Sequence, residues 1–179
     1  MARATAPLVV VMGVSGCGKS TVGRLIAARL RCEFLEGDEL HPPRNVERMA
    51  SGIALTDNDR RDWLLAIAAQ IADAGASRHG LIVACSALKR SYRDTLRAAS
   101  GALRFVLVHG EPELLASRMH ARTGHYMPAS LLASQLQTLE LPTPDEQCLV
   151  LDAASDAAPL AAQAVTWLAA PLPKSPARS

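Results

Sequence analysis

The strongest constraint on this chain lies near its start. Leu8, Val9, Val10, Val11 and Met12 form an unbroken apolar run, and the octapeptide Gly13-Val14-Ser15-Gly16-Cys17-Gly18-Lys19-Ser20 follows at once. A continuous run rich in β-branched residues reads as a parallel strand buried on both faces. The octapeptide matches G-x-x-x-x-G-K-[ST] at every fixed position, and Thr21 comes next. From Lys19 to Leu30, apolar residues recur at Val22, Leu25, Ile26 and Leu30, which is helical spacing. Strand, glycine loop and helix in this order cradle phosphate. The glycines let backbone N–H groups turn inward on phosphate oxygens, and the helix N-terminus adds partial positive charge. Gly13, Ser15, Gly16, Cys17, Gly18, Lys19, Ser20 and Thr21 are therefore expected at a nucleoside triphosphate. Lys19 would reach the β- and γ-phosphates, and the Ser20 hydroxyl would hold Mg²⁺.

Four further apolar runs, at 32–35, 81–85, 103–109 and 148–151, predict four more strands. Helices are expected over 44–51, 88–99, 111–122, 128–139 and 156–169. A longer one follows an N-cap at Thr56-Asp57 and carries Trp63, Leu64, Ile67 and Ile71 as its apolar stripe. Strands alternating with helices call for an α/β fold, a five-stranded parallel sheet flanked by helices. A chain of 179 residues leaves little room for two domains, so 1–170 is read as one. The stretches 38–80 and 118–141 exceed a minimal crossover. Such insertions sit at the carboxyl ends of strands, where open α/β sheets bind ligands, and the second is read as a helical lid. The Pro-rich tail, 171–179, is expected to be disordered.

Charge excludes some partners. Nineteen basic against 17 acidic residues leave only +2, too little for a nucleic-acid footprint. The apolar run at the N-terminus is too short for a signal segment or a membrane span. A soluble cytoplasmic protein without membrane partners is expected. Cys17, Cys32, Cys85 and Cys148 lack C-x-x-C spacing and read as reduced thiols.

What the nucleotide is used for is a separate question. The base-reading N/T-K-x-D and the D-x-x-G of a GTP switch are absent, and the run at 81–85 continues into Ser86-Ala87-Leu88-Lys89 without the acid of a mechanical ATPase. A kinase must position an acceptor hydroxyl and remove its proton. Asp38, after the second strand and beside the phosphate loop, is the candidate, and it could also touch Mg²⁺ through water. By this topology Arg44, Arg48, Arg60, Arg61, Lys89 and Arg93 converge on the same face. As a set they suggest an anionic acceptor, since arginine binds carboxylate in bidentate fashion. Arg118 and Arg122 are four apart and share a helix face ahead of Gly124-His125, a candidate hinge. Lids that bring arginines onto transferring phosphates are a known kinase device.

Several blocks carry a more specific resemblance. FLEGDELHPPRNVERMASG at 34–52, LTDNDRRDWL at 55–64, CSALKRSYRD at 85–94, GHY at 124–126 and LQTLELP at 136–142 occur in order. With the phosphate loop they make the chain resemble the gluconokinase family of P-loop small-molecule kinases, over about 8–152. The resemblance implies a P-loop NTPase fold of the nucleotide-kinase type. It implies Mg²⁺-dependent transfer of the ATP γ-phosphoryl to the 6-hydroxyl of D-gluconate, giving 6-phospho-D-gluconate and ADP, in a cytoplasmic homodimer. Lys19, Asp38 and Arg122 become the catalytic candidates, and Arg118 and Arg122 nucleotide contacts from the lid. Asp38, His41, Arg48, Arg60, Lys89, Arg93 and His125 become candidates for the sugar-acid site. Which cation takes the carboxylate stays open. Glu36 stands where the family usually has Asp, so no direct role is assigned to it. Two rivals remain. One is a shikimate-type kinase, against which the 85–94 block and His41-Pro42-Pro43 argue. The other is a regulator that binds ATP without catalysis.

Overall fold

Val9, Val10, Val11 and Met12 are all fully buried, yet they serve two different cores. Val9 and Val11 pack with Val22, Ile26 and Leu160, whereas Val10 and Met12 pack with Trp63, Ile67, Ile71 and Leu96. Successive side chains of a strand point to opposite faces, so an apolar run without alternation fills a layer on each side of the sheet. The computed structural model describes residues 6–121, 128 and 130–171.

The central strand is β1 (Leu8–Met12), and the phosphate loop leads from it into α1 (Lys19–Leu30). Next come β2 (Glu33–Glu36), a 3-10 turn over Gly37–Leu40, α2 (Pro43–Ala50) and α3 (Asp57–Ser77). Then follow β3 (Leu81–Ala84), α4 (Arg90–Arg97), β4 (Arg104–His109), α5 (Pro112–Ala121) and α6 (Leu131–Thr138). A second 3-10 turn, Pro144–Glu146, leads into β5 (Cys148–Asp152) and α7 (Ala157–Ala169). The five strands lie in the order β2-β3-β1-β4-β5, and every pairing is parallel. This is the expected α/β sheet, with α1 and α7 on one face and α3 and α4 on the other. Among the described residues no helix is long and apolar enough to cross a membrane.

Register fixes where the ends of β1 and β2 fall. Val11 and Glu36 both pair with Ala84 of β3, so the two strands finish level with one strand between them. At about 4.8 Å per strand, the phosphate loop and the turn carrying Asp38 leave the sheet about 10 Å apart. The first turn of α3 is closed reciprocally at the expected cap. Thr56 Oγ1 accepts from the Asp59 N–H at 3.2 Å, and Asp59 Oδ2 accepts from the Thr56 N–H at 2.8 Å.

One expectation fails for a clear reason. α4 begins at Arg90 rather than at 88, because Ala87 has a φ of 42° and Lys89 is extended. The carbonyls of Ala87 and Leu88 instead accept from Arg93 Nη1, each at 3.2 Å. Arg93 itself, expected at the substrate, is corrected by the same observation. Its guanidinium is fully buried, pairs with both oxygens of Glu146 at 2.6 and 2.8 Å, and donates to the Glu140 carbonyl at 3.0 Å. It ties the start of α4 to the chain returning from α6.

Burial works against the charge of Glu146. Arg93, the Thr143 N–H and Arg97 outweigh it and hold the carboxyl at about 2, below its ordinary 4.5. The stability this supplies is complete above the ordinary value and is lost as pH falls toward 2. Glu146→Ala should destabilise the fold by about 3–5 kcal/mol at neutral pH, since it strands a buried guanidinium. Chemical denaturation between pH 7 and pH 3 should show the acid loss in the parent and a flatter profile in the variant. Equal stability at pH 7 would refute this role.

Candidate functional site

The phosphate loop is shaped by contacts that exclude side chains. Gly13 has a φ of 144°, and a Cβ there would lie 2.5 Å from the Val108 carbonyl oxygen and 2.8 Å from Cys17 Sγ. Burial opposes the charge of Lys19. Cys17, Asp38 and Glu36 outweigh burial, so the ammonium pKa is raised and the group is charged at neutral pH.

Asp38 is set by its neighbours. A Cβ on Gly37 would meet the Ala84 carbonyl oxygen at 2.4 Å, so only glycine lets the turn cross this close to β3. The buried Trp63 indole of α3 donates to the Gly37 carbonyl at 2.7 Å. His41 stacks on the same indole, with ring centroids 4.1 Å apart and planes 13° from parallel. Asn45 Nδ2 donates to the Asp59 carbonyl at 2.8 Å and also meets His41 Nδ1 at 3.3 Å. An amide nitrogen can only donate, so Nδ1 accepts and Nε2 carries the imidazole proton. Burial drives the His41 pKa down to about 4, with Arg60 adding to the effect and Asp38 opposing it.

These residues meet in one cleft. Ser15 and Lys19 come from the phosphate loop and α1, Asp38 and His41 from the turn after β2, Arg60 from α3, and Ser134 and Gln135 from α6. Met49, Leu55 and Leu131 border it and pack together as a small apolar cluster. Arg60 is 9% exposed and gives the Leu55 carbonyl a long bond of 3.4 Å. Its Nε has no hydrogen-bond partner among the described residues. A buried guanidinium so placed is suited to an anion.

The other expected cations go elsewhere. Lys89 contacts both oxygens of Asp57 at 2.8 and 2.9 Å, Arg48 lies 3.6 Å from Asp59, and Arg44 lies 2.9 Å from Asp62. Among the described residues, none of the three lines the cleft. Arg118 instead borders a cavity of about 320 Å³ on the far side of the phosphate loop, with Gly16, Gly18, Thr21 and Asp156. Arg122 and His125 lie outside the described residues.

Sequence reasoning passed over two residues. Glu36, discounted as a departure from the family pattern, shares a hydrogen bond with the Ser20 side chain. Burial and the nearby Asp38 raise its pKa, against that bond, Lys19 and Arg24. Its Oε1 is buried with no partner among the described residues. The period of two along β2 and the turn, which puts Glu36 near Asp38, was the available signal. Gln135 reaches the phosphate loop from 120 residues away, where its Oε1 accepts from the Ser15 N–H at 2.7 Å. No local pattern marks such a contact.

Comparison with known proteins settles the family. The profile described as "AAA domain" matches residues 8–142. A gluconokinase of Gluconobacter oxydans (strain 621H) is 51% identical over 137 residues, which cover 76% of this chain and 77% of that protein. The chain belongs to the gluconokinase family. The crystal structure of a gluconokinase from Sinorhizobium meliloti 1021 superposes with a TM-score of 0.83 at 50% identity, covering 93% of this chain and 94% of that one. An unliganded sugar kinase from Janibacter sp. HTCC2649 gives 0.88 at 45% identity, covering 91% and 94%. The gluconokinase fold thus carries the phosphate loop and the cleft at the carboxyl ends of the strands.

The stacked, neutral His41 gives a pH prediction. Its pKa is lowered on folding, so the unfolded chain binds the extra proton, and stability is lost as pH falls from about 6.5 toward 4. NMR titration, with His41→Gln for assignment, should place its midpoint near 4. A midpoint near 6.5 would contradict the buried, hydrogen-bonded imidazole.

Proposed function

We propose that this chain transfers the γ-phosphoryl of ATP to the 6-hydroxyl of D-gluconate. The observation that carries the reading is the pairing of Asp38 and Arg60 in one cleft with Lys19. A carboxylate beside the phosphate loop takes the proton of an attacking hydroxyl as its oxygen bonds to phosphorus. A buried guanidinium in the same cleft binds a carboxylate. Gluconate carries an acid at one end of its carbon chain and a primary alcohol at the other, and so engages both. The His41 Nε2–H is a neutral donor suited to a hydroxyl between them. The raised Lys19 pKa keeps its charge available for the transferring phosphoryl group.

The residues present fit Mg²⁺. Among the described residues no cluster of three His, Cys, Asp or Glu could hold a metal by itself. Magnesium typically takes one or two protein groups and completes its shell with phosphate oxygens and water. The Ser20 hydroxyl and the unpartnered Glu36 Oε1 supply such groups, with Asp38 reaching the ion through water. When bound, the ion neutralises charge on the phosphates. Arg118 belongs to the nucleotide in this reading, and Arg122 and His125 would complete the lid. The family resemblance extends the proposal to a cytoplasmic homodimer.

A coupled ADP-release assay with gluconate, shikimate, glycerate and nucleoside monophosphates tests the acceptor. Gluconate should lead in kcat/KM by about 10⁴ over acids lacking its hydroxyls. Asp38→Asn should lower kcat by about 10²–10⁴ with gluconate affinity little changed, as expected of a group acting on the proton in flight. Preference for another acceptor overturns the substrate, and ATP binding without acceptor-dependent ADP release leaves a non-catalytic regulator instead.

A further inference from the structure

Hydrogen bonds alone hold the Arg60 guanidinium weakly. Among the described residues they amount to the long contact with the Leu55 carbonyl, and Nε has no partner. Keeping so long a side chain in one place costs conformational entropy at every torsion, and one 3.4 Å bond does little to offset it. What lies against Arg60 is an aromatic ring. Its Cζ sits over the Tyr92 ring, 5.7 Å from the centroid. Attraction to a ring face uses the charge of the cation and none of its N–H groups, so the donors stay available to a carboxylate.

The ring is fixed in its turn. Tyr92 is buried on α4 and packs in the core shared by Trp63, Ile67 and Leu96. A leucine would fill that place with no hydroxyl to satisfy. The Tyr92 hydroxyl donates to Asp57 Oδ1. Asp57 opens α3 and Arg60 follows three residues later, so both lie on one face of that helix. One turn of α3 thus grips the ring at its rim through a carboxylate and on its face through a cation. Lys89 Nζ completes the clamp by contacting both Asp57 oxygens, at 2.8 and 2.9 Å. Lys89 also lies 5.7 Å from the ring centroid, but Asp57 matches its charge. Arg60 instead lines the cleft with Asp38 and His41.

We propose that Tyr92 is a positioning residue for the arginine that binds the substrate acid. Tyr92 does not line the cleft and acts through Arg60, whose guanidinium its ring holds in place there. Asp57 and Lys89 set the ring. Lys89, expected at the substrate, then serves the acid at two removes. This rests on the gluconate reading above, in which the acid meets Arg60.

The test compares the parent enzyme with Tyr92→Leu and Tyr92→Phe on gluconate and on gluconamide, which keeps every hydroxyl and lacks the charge. Tyr92→Leu should raise KM for gluconate about tenfold, the scale of a desolvated cation–π contact, with kcat and the KM for ATP within about twofold of the parent. On gluconamide, already poor for the parent, the same variant should change kcat/KM by less than about twofold. Tyr92→Phe keeps the ring face and should recover most of the loss. Tyr92→Phe with a pentafluorinated ring keeps the shape but removes the negative face, and should again raise KM for gluconate severalfold over plain Tyr92→Phe. That arm decides the matter if the Leu variant does not fold. Equal penalties on acid and amide, or a fluorinated ring that matches plain Tyr92→Phe on gluconate, leave Tyr92 a packing role only and overturn the proposal. Parent turnover is read separately. A parent that uses gluconate and gluconamide alike overturns the placing of the acid on Arg60, and this proposal with it, so the two failures are distinguishable.

Discussion

Two strands that end level on either side of a third set the geometry of this enzyme. Because Val11 and Glu36 share Ala84 as their partner, the loop after β1 and the turn after β2 emerge side by side, about 10 Å apart. A one-residue slip of β2 would turn Glu36 and Asp38 toward the other face of the sheet. The position is pinned beyond the sheet itself. Gly37 lies against the Ala84 carbonyl, and the Trp63 indole holds the Gly37 carbonyl from α3 while stacking on His41. One buried aromatic side chain thus steadies the acid turn and the imidazole together.

Charge is concentrated at the cleft by being matched elsewhere. Arg44, Arg48 and Lys89 each have a local carboxylate, in Asp62, Asp59 and Asp57. Such exposed pairs contribute about 0–1 kcal/mol each to stability, but they keep those cations from competing for an anionic substrate. Arg93 and Glu146 form the buried exception, each side chain 1% exposed, and they brace the segment that carries α6 back to the sheet. Lys19 and Arg60 remain directed to the cleft, which Asp38 also lines.

Local patterns made much of this legible in the sequence. The phosphate loop, its flanking strand and α1 follow from the glycine spacing and an unbroken apolar run, and the α3 cap from Thr56-Asp57, although the reciprocal role of Asp59 does not. The five strands were visible because each is a short apolar run between turn residues. The arginines were harder to sort. Arg48, Arg60 and Arg93 look alike in sequence, and their different fates depend on Asp59, on the Leu55 carbonyl and on Glu146, which lies 53 residues from Arg93. Gln135 escaped notice for the same reason, since its partner is a backbone amide at the other end of the domain. Side chains satisfied locally can be read from spacing, whereas those satisfied across the fold cannot.

Phosphoryl transfer here depends on the direction in which the acceptor lies. A crystal structure with D-gluconate and a non-hydrolysable ATP analogue tests it most directly. The C6 hydroxyl oxygen should lie about 2.6–3.2 Å from the Asp38 carboxylate and in line with the γ-phosphorus, with the substrate acid on the Arg60 guanidinium. Gluconate bound with its acid toward the phosphate loop, or held by Lys89 or Arg48 with Asp38 turned away, would contradict it.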